Sequence, residues 1–198
     1  MSQKRVGRIV IVSGPSGAGK TTVLGRVFEQ SPLPLVASVS ATTRPPRPGE
    51  HDGVDYHFLS PEQFDLRRRR GEFLECFEVH QKGTWYGTLE REVLTGLSEG
   101  KWVVLEIDVQ GALEVMAKYP DAVSIFILPS GGSLDELRRR LELRGEPPES
   151  ITKRLETARG ELDAARHYRY QVVNDRLDRA VDEMCEILSR EWEKVRDV

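Results

Sequence analysis

Apolar and polar positions along this chain follow two different rhythms, and the boundary between them divides it. Ile9-Val10-Ile11-Val12, Leu35-Val36-Ala37-Ser38-Val39, Trp102-Val103-Val104-Leu105, Ala122 to Leu128 and Tyr170-Gln171-Val172-Val173 are short, nearly unbroken apolar runs. Such runs suit strands buried on both faces. Between and after them come segments with helical spacing: Thr21–Gln30, Ala112–Tyr119, Leu134–Arg144, Glu149–Ala165 and Leu177–Val195. The last carries Val181, Met184, Cys185, Leu188 and Trp192 on one stripe, and Leu134, Leu137 and Leu141 mark the apolar positions of the third. Strand and helix in alternation predict an α/β fold with a parallel sheet of about five strands flanked by helices.

From 36 to 95 the rhythm breaks. Ser40 to Glu50 is rich in hydroxyls and prolines and reads as a loop. Tyr56-His57-Phe58-Leu59 reads as an edge strand, Ser60-Pro61 starts a helix that Gly71 closes, and Phe73–Val79 and Thr84–Thr88 are strands around a turn at Gln81-Lys82-Gly83. Short antiparallel strands with one or two helices are expected here. The predicted organisation is a core of 1–35 and 96–198 with an α+β insert at 36–95. Two arginine-bearing helices joined by Gly145-Glu146-Pro147-Pro148 form a candidate lid at about 134–160.

With 29 Lys and Arg against 32 Asp and Glu, the net charge of −3 argues against a general nucleic-acid partner. The Arg67-Arg68-Arg69-Arg70 run reads as a solvated helix end. No apolar run approaches membrane length, and Met1 to Arg5 leads into a strand without an apolar signal segment, so no membrane partner is expected and the cytoplasm is the expected location. Cys76 and Cys185 lie too far apart in sequence to suggest a zinc motif or a disulfide framework.

The chemistry begins at Gly14-Pro15-Ser16-Gly17-Ala18-Gly19-Lys20-Thr21, which fits the phosphate-loop pattern G-x-x-x-x-G-K-[ST] between a strand and a helix. Glycines allow backbone N–H groups to reach phosphate oxygens, and the helix start adds its positive end. Lys20 can reach the β- and γ-phosphates, and Thr21 can place its hydroxyl on Mg²⁺. Glu106-Ile107-Asp108 ends a strand in carboxylates of the kind that support that ion. The stiff Ser40 to Glu50 loop fixes Arg44 and Arg47 three residues apart, which suits the gripping of an anion. Asp135 and Glu136 stand four before Arg139 and Arg140, so ion pairs within the helix explain part of that charge, and Arg138, Arg139, Arg140 and Arg144 are expected mostly on its outer face.

Several of these stretches together resemble the guanylate kinase family along nearly the whole chain. They are the phosphate loop, Ser38-Val39-Ser40-Ala41-Thr42-Thr43-Arg44-Pro45-Pro46-Arg47-Pro48-Gly49-Glu50, Gly53-Val54-Asp55-Tyr56-His57-Phe58, Glu72-Phe73-Leu74-Glu75, Tyr86-Gly87-Thr88, Glu106-Ile107-Asp108-Val109-Gln110-Gly111 and Val173-Asn174-Asp175. The resemblance implies a P-loop NTPase core, an inserted GMP-binding domain, a lid over ATP, and transfer of the ATP γ-phosphoryl group to GMP or dGMP with Mg²⁺. It implies ATP contacts from Gly14, Pro15, Ser16, Gly17, Ala18, Gly19, Lys20, Thr21, Thr22 and Asn174. Ser40, Glu75, Thr88 and Asp108 match guanine contacts, and Arg44, Arg47, Tyr56 and Tyr86 match contacts to the GMP phosphate. Arg140, Arg144 and Arg154 match transfer-site arginines, which with Lys20 and Arg44 make up the expected catalytic set. The chain departs from the family pattern at Glu106, where Asp is usual, at Leu89, where many members have Pro, in the longer Ser130-Gly131-Gly132 loop, and between Arg144 and Arg154, a stretch one residue short.

In-line attack by a phosphate oxygen needs no base, so His51, His57, His80 and His167 are read as bystanders. Two other classes remain open on sequence: a related binding module without catalysis, and a P-loop kinase for another phosphorylated small molecule. Lys20, Thr21 and the arginines speak against the first, and the Tyr56, Glu75 and Thr88 set against the second. Oligomeric state is not legible.

Overall fold

A computed structural model describes residues 7–79, 83–143 and 145–196. In chain order the elements are β1 (Arg8–Ser13), α1 (Lys20–Gln30), β2 (Leu35–Ala37), β3 (Ser40–Thr42), β4 (His57–Phe58), α2 (Pro61–Arg69), β5 (Phe73–Val79), β6 (Thr84–Leu89) and α3 (Glu90–Ser98). They continue with β7 (Trp102–Glu106), α4 (Val109–Lys118), β8 (Val123–Pro129), α5 (Leu134–Leu143), α6 (Pro148–Ala164), β9 (Tyr170–Asn174) and α7 (Leu177–Arg196).

The unbroken apolar runs become a parallel five-stranded sheet, in the order β2-β7-β1-β8-β9. Their lack of alternation has a direct cause: both faces are covered. Val10 and Val12 of β1 point into a core with Val23, Leu24 and Val27 of α1 and Val181, Met184 and Leu188 of α7. Ile9 and Ile11, one step along the strand, point into a second core with Val93 of α3 and Val109, Ala112 and Val115 of α4. Placing β1 in the middle sets the phosphate loop over the carboxyl ends of the strands, where open α/β sheets bind ligands.

A second sheet, in the order β4-β3-β6-β5, comes from the stretch where the rhythm breaks. Two readings are corrected here. Ser40-Ala41-Thr42, expected as loop, is strand β3, because Ala41 and Thr42 are fully buried and pair with Gly87 and Tyr86 of β6. Three residues carry too little local propensity to announce a strand; the partner supplies it. The edge strand β4 runs parallel to β3, not antiparallel, since the long 43–56 connection lets the chain return to the starting end before pairing. Residues 36 and 37 lie in β2 of the core sheet, and α3 packs into the core through Val93, so the second sheet itself is confined to β3 through β6. Ser60 caps α2 through a reciprocal capping box with Gln63, a local device worth about 1 kcal/mol.

Helices α5 and α6 have a small core of their own, Leu137, Leu141, Ile151, Leu155 and Ala158. Leu137 and Leu141 of the leucine stripe read from the sequence are two of these five, and Leu134 packs against them. Cys76 and Cys185 are both free thiols.

Candidate active site

The phosphate loop turns from β1 into α1 with Gly19 in the left-handed region at φ 90°, where an added Cβ would also lie 2.5 Å from the Asn174 carboxamide nitrogen. Lys20, the first residue of α1, curls back so that its ammonium donates to the carbonyl oxygens of Gly14 at 2.6 Å and Pro15 at 3.4 Å. Burial holds its pKa below that of a free lysine, while the nearby charges of Glu106, Glu161 and Asp108 pull it the other way. Glu161 on α6 was not singled out from sequence, and nothing in its spacing marks it. The Thr21 hydroxyl donates to Glu106 Oε1 at 2.8 Å, so the carboxylate that ends β7 does reach the loop.

The arginine helices meet this loop directly. Arg154 on α6 donates to the Ser16 hydroxyl at 2.6 Å and pairs with Glu146 at 2.9 Å. Arg140 on α5 donates to the carbonyls of Ala18 at 3.2 Å and Asn174 at 2.7 Å, and to Glu136 at 2.7 Å. That corrects the outer-face reading for one residue: Arg138 and Arg139 are exposed as expected, but Arg140 is turned inward and half-buried. Glu136 takes both Arg139 and Arg140, so intrahelical pairing and loop contact coexist in one guanidinium. Arg144 lies outside the described residues, as does His80. Beside the loop, Gly17, Gly19, Thr22, Arg140 and Asn174 line a groove of about 390 Å³ that is completed by Leu143, Asp175 and Leu177. The last three were missed as lining residues, although Asp175 follows Asn174 in the quoted motif.

In the second sheet Arg44, the candidate anion-binding arginine, is held from several sides. Both Arg44 terminal nitrogens donate to the Glu50 carboxylate, at 2.6 and 2.7 Å, and the Arg47 backbone N–H donates to the same group at 2.7 Å. Arg44 also lies over the rings of Tyr56 and Phe58, with its guanidinium carbon 4.9 and 5.6 Å from their centroids, and Tyr56 meets Tyr86 edge-on. The Arg47 side chain is exposed. Glu50, not chosen from sequence, therefore fixes the direction of one arginine and the backbone of the other; the Arg44 hydrogen bonds hold its carboxyl down at about 2. Glu50→Gln should raise KM for a phosphorylated substrate by about tenfold with kcat little changed, because an amide cannot accept both arms of the guanidinium fork. Steady-state kinetics on the folded variant checks this, and a twofold change or less would remove Glu50 from the site.

Ser40, Thr88 and Glu75 form one row across β3, β6 and β5, since Ser40 pairs with Thr88 and Thr88 with Glu75. Thr88 is fully buried and its hydroxyl donates to Glu75 Oε1 at 2.6 Å; Glu75 is only 6% exposed. Burial pushes the Glu75 carboxyl up to about 7, the Thr88 hydrogen bond works against that shift, and the Asp108 charge adds to it. Asp108 stands at the cap of α4, its Oδ1 accepting the Gly111 N–H at 2.8 Å. The fold thus brings together the loop with Arg140, Arg154 and Asn174 as one group, Arg44 with Tyr56 and Tyr86 as a second, and Ser40, Glu75 and Thr88 next to Asp108 as a third. His57 bonds Glu92 of α3 at 2.5 Å and joins none of them.

A buried carboxylate beside a buried threonine, an arginine held among aromatic rings and a phosphate loop met by arginine helices form a combination that can be compared with known proteins. The guanylate kinase family profile matches residues 6–191. The guanylate kinase of Rhodopirellula baltica is 53% identical over 184 residues, spanning 92% of this chain and 87% of that protein. The guanylate kinase of Caldanaerobacter subterraneus is 46% identical over 192 residues, or 96% of this chain and 91% of its own length. Among solved structures, guanylate kinase from Anaplasma phagocytophilum superposes with a TM-score of 0.78 at 34% identity, covering 96% of this chain and 88% of that one. Sequence and fold agree over more than nine-tenths of its length, and the chain belongs to the guanylate kinase family.

Proposed function

We propose that this chain transfers the γ-phosphoryl group of ATP to GMP or dGMP, with the three groups of residues dividing the work. The observation that carries this reading is the cross-strand row of Ser40, Thr88 and Glu75, in which Thr88 and Glu75 are buried. Guanine presents N–H donors at N1 and at its 2-amino group, which an ionised carboxylate accepts as a pair. Adenine presents an acceptor at N1 and has no 2-amino group, so it leaves a buried carboxylate unpaired, a cost that separates analogues strongly. Asp108 caps α4 through one oxygen, and its other oxygen serves the 2-amino group. Arg44, Arg47, Tyr56 and Tyr86 hold the GMP phosphate.

On the ATP side the backbone from Gly14 to Gly19 cradles the phosphates, and Thr22 and Asn174 flank the nucleotide. Lys20, Arg140, Arg144 and Arg154 neutralise charge that builds on the transferring group. Phosphate oxygens are stronger acceptors than the Ser16 hydroxyl and the loop carbonyls that now take the Arg154, Arg140 and Lys20 donors, so the same nitrogens can turn to substrate. Among the described residues no cluster of three or more His, Cys, Asp or Glu could cage an ion. The Thr21 hydroxyl with the Glu106 carboxylate beside it fits Mg²⁺, which keeps its waters and takes phosphate oxygens with one or two protein oxygens. Thr21 would hold it and Glu106 would orient the Thr21 hydroxyl; the ion would supply charge neutralisation on the phosphates. The GMP phosphate oxygen is itself the nucleophile and needs only alignment. The segment 36–95 and the helices near 134–160 close over the two substrates. Among the described residues no helix is long and apolar enough to cross a membrane, and we place the activity in the cytoplasm with small molecules as its partners.

Coupled ADP release with ATP, Mg²⁺ and each nucleoside monophosphate tests the reading: GMP and dGMP should turn over, and AMP within tenfold of GMP would refute it. Glu75→Gln should shrink the GMP preference over AMP by about 10²-fold. Because Glu75 titrates near 7 and accepts two hydrogen bonds only when ionised, kcat/KM for GMP should rise about tenfold from pH 6 to pH 8. The substrate phosphate also titrates near the lower end of that range, so the decisive quantity is the difference between wild type and Glu75→Gln, which should be the flatter of the two. Equal slopes would take the carboxyl out of base recognition.

A further inference from the structure

Gly111 is the third residue of α4 and has ordinary helical backbone, with no positive φ to demand a glycine. Glycine is the poorest helix former after proline, so local structure alone would favour another residue here. What glycine provides at this point is room. A Cβ built on Gly111 would lie 2.7 Å from Glu75 Oε2 and 3.0 Å from Glu75 Cδ, with Asp108 Oδ1 at 3.4 Å. Contacts under 3.0 Å essentially never occur for real Cβ atoms, so a methyl group would displace the carboxylate or the strand that carries it.

The strand has little freedom to retreat. Leu74, next to Glu75 on β5, is buried in the core cluster that holds Val109, Ala112 and Val115 of α4. The Lys118 ammonium, at the far end of the same helix, donates to the Leu74 carbonyl. So β5 of the second sheet is seated on α4 of the core at two points, and Glu75 extends from that seat across the first turn of the helix. There it sits between the Thr88 hydroxyl and the positive end of α4, beside Asp108.

We infer that Gly111 is a specificity-setting position: its missing side chain is the clearance that lets Glu75 lie against the first turn of α4, where Glu75 and Asp108 face the guanine edge together. This rests on the assignment of Glu75 to the guanine site. Gly111 is a positioning residue, because it acts on the base only through the carboxylate it makes room for. Its effect belongs to guanine binding and not to phosphoryl transfer.

Gly111→Ala should raise KM for GMP at least tenfold, with kcat within threefold, KM for ATP unchanged and kcat/KM for AMP unchanged. Adding Glu75→Asp shortens the acid by one methylene and withdraws it from the new methyl. The double variant should therefore be no worse toward GMP than Gly111→Ala alone, although Glu75→Asp by itself impairs GMP. A GMP KM within twofold of the parent, or single effects that simply multiply in the double variant, would overturn the inference. Melting temperatures give a reading that survives poor folding: Gly111→Ala should lower Tm when Glu75 is present and raise it in a Glu75→Ala background, where the helix gains a better former and nothing is in the way. The same sign in both backgrounds would also overturn it. If Glu75→Gln left the GMP to AMP ratio untouched, the guanine assignment would fall, and the melting cycle would still decide the clearance.

Discussion

Replacing Lys20 by methionine should lower kcat by about 10³-fold or more, on the order of 4 kcal/mol of transition-state stabilisation, while the protein stays folded. The two halves of that expectation have separate causes. The Lys20 ammonium donates to the Gly14 and Pro15 carbonyls from a flexible stem, so it can swing from backbone oxygens to a phosphoryl group that gains charge during transfer. Methionine keeps most of the stem volume and removes the charge. Stability should not suffer, because burial lowers the Lys20 pKa: the folded protein holds that charge at a cost, and the neutral side chain is spared it. A melting scan together with steady-state turnover tests both halves, and a folded variant within tenfold of wild-type kcat would refute the role.

Arg154→Ala should reduce kcat by about 10²- to 10³-fold while changing KM for GMP less than threefold. Its guanidinium bridges the Ser16 hydroxyl in the phosphate loop and Glu146 in the turn between α5 and α6, which places a cation at the phosphate loop and away from the row of Ser40, Thr88 and Glu75. Arg139→Ala is the matched control. Arg139 is exposed and its bonds go to Glu136 in its own helix, so its loss should change turnover less than twofold. Arg140→Ala is a poorer probe, since Arg140 also ties α5 to Ala18 and Asn174 and its removal would disturb the loop and the transfer together. If Arg154→Ala and Arg139→Ala gave the same kcat, the division of labour between the arginines would be wrong.

The sequence by itself determined the core strands and the phosphate loop. Burial on both faces of a central strand demands an unbroken apolar run, and Ile9 to Val12 has one; a strand-to-helix turn around phosphates demands glycines and a lysine at fixed steps, and Gly14 to Thr21 supplies them. These signals are local, so the chain states them in order. Ser40-Ala41-Thr42 shows where locality ends: three residues with no pattern of their own became a strand because Gly87 and Tyr86, some forty-five positions later, offered partners. The same holds for the site. Arg138, Arg139 and Arg140 stand side by side in one helix with acids within reach on paper, and only the packing of α5 on the loop turns Arg140 inward and leaves Arg138 and Arg139 outside. Glu50 was legible as an acid at the end of a loop, but its two-armed grip on Arg44 depends on how that loop folds back. The upward shift of Glu75 to about 7 and the need for an empty space at Gly111 arise only when β5 settles on α4. Desolvation and steric clearance belong to pairs of surfaces, and tertiary structure alone decides which surfaces meet.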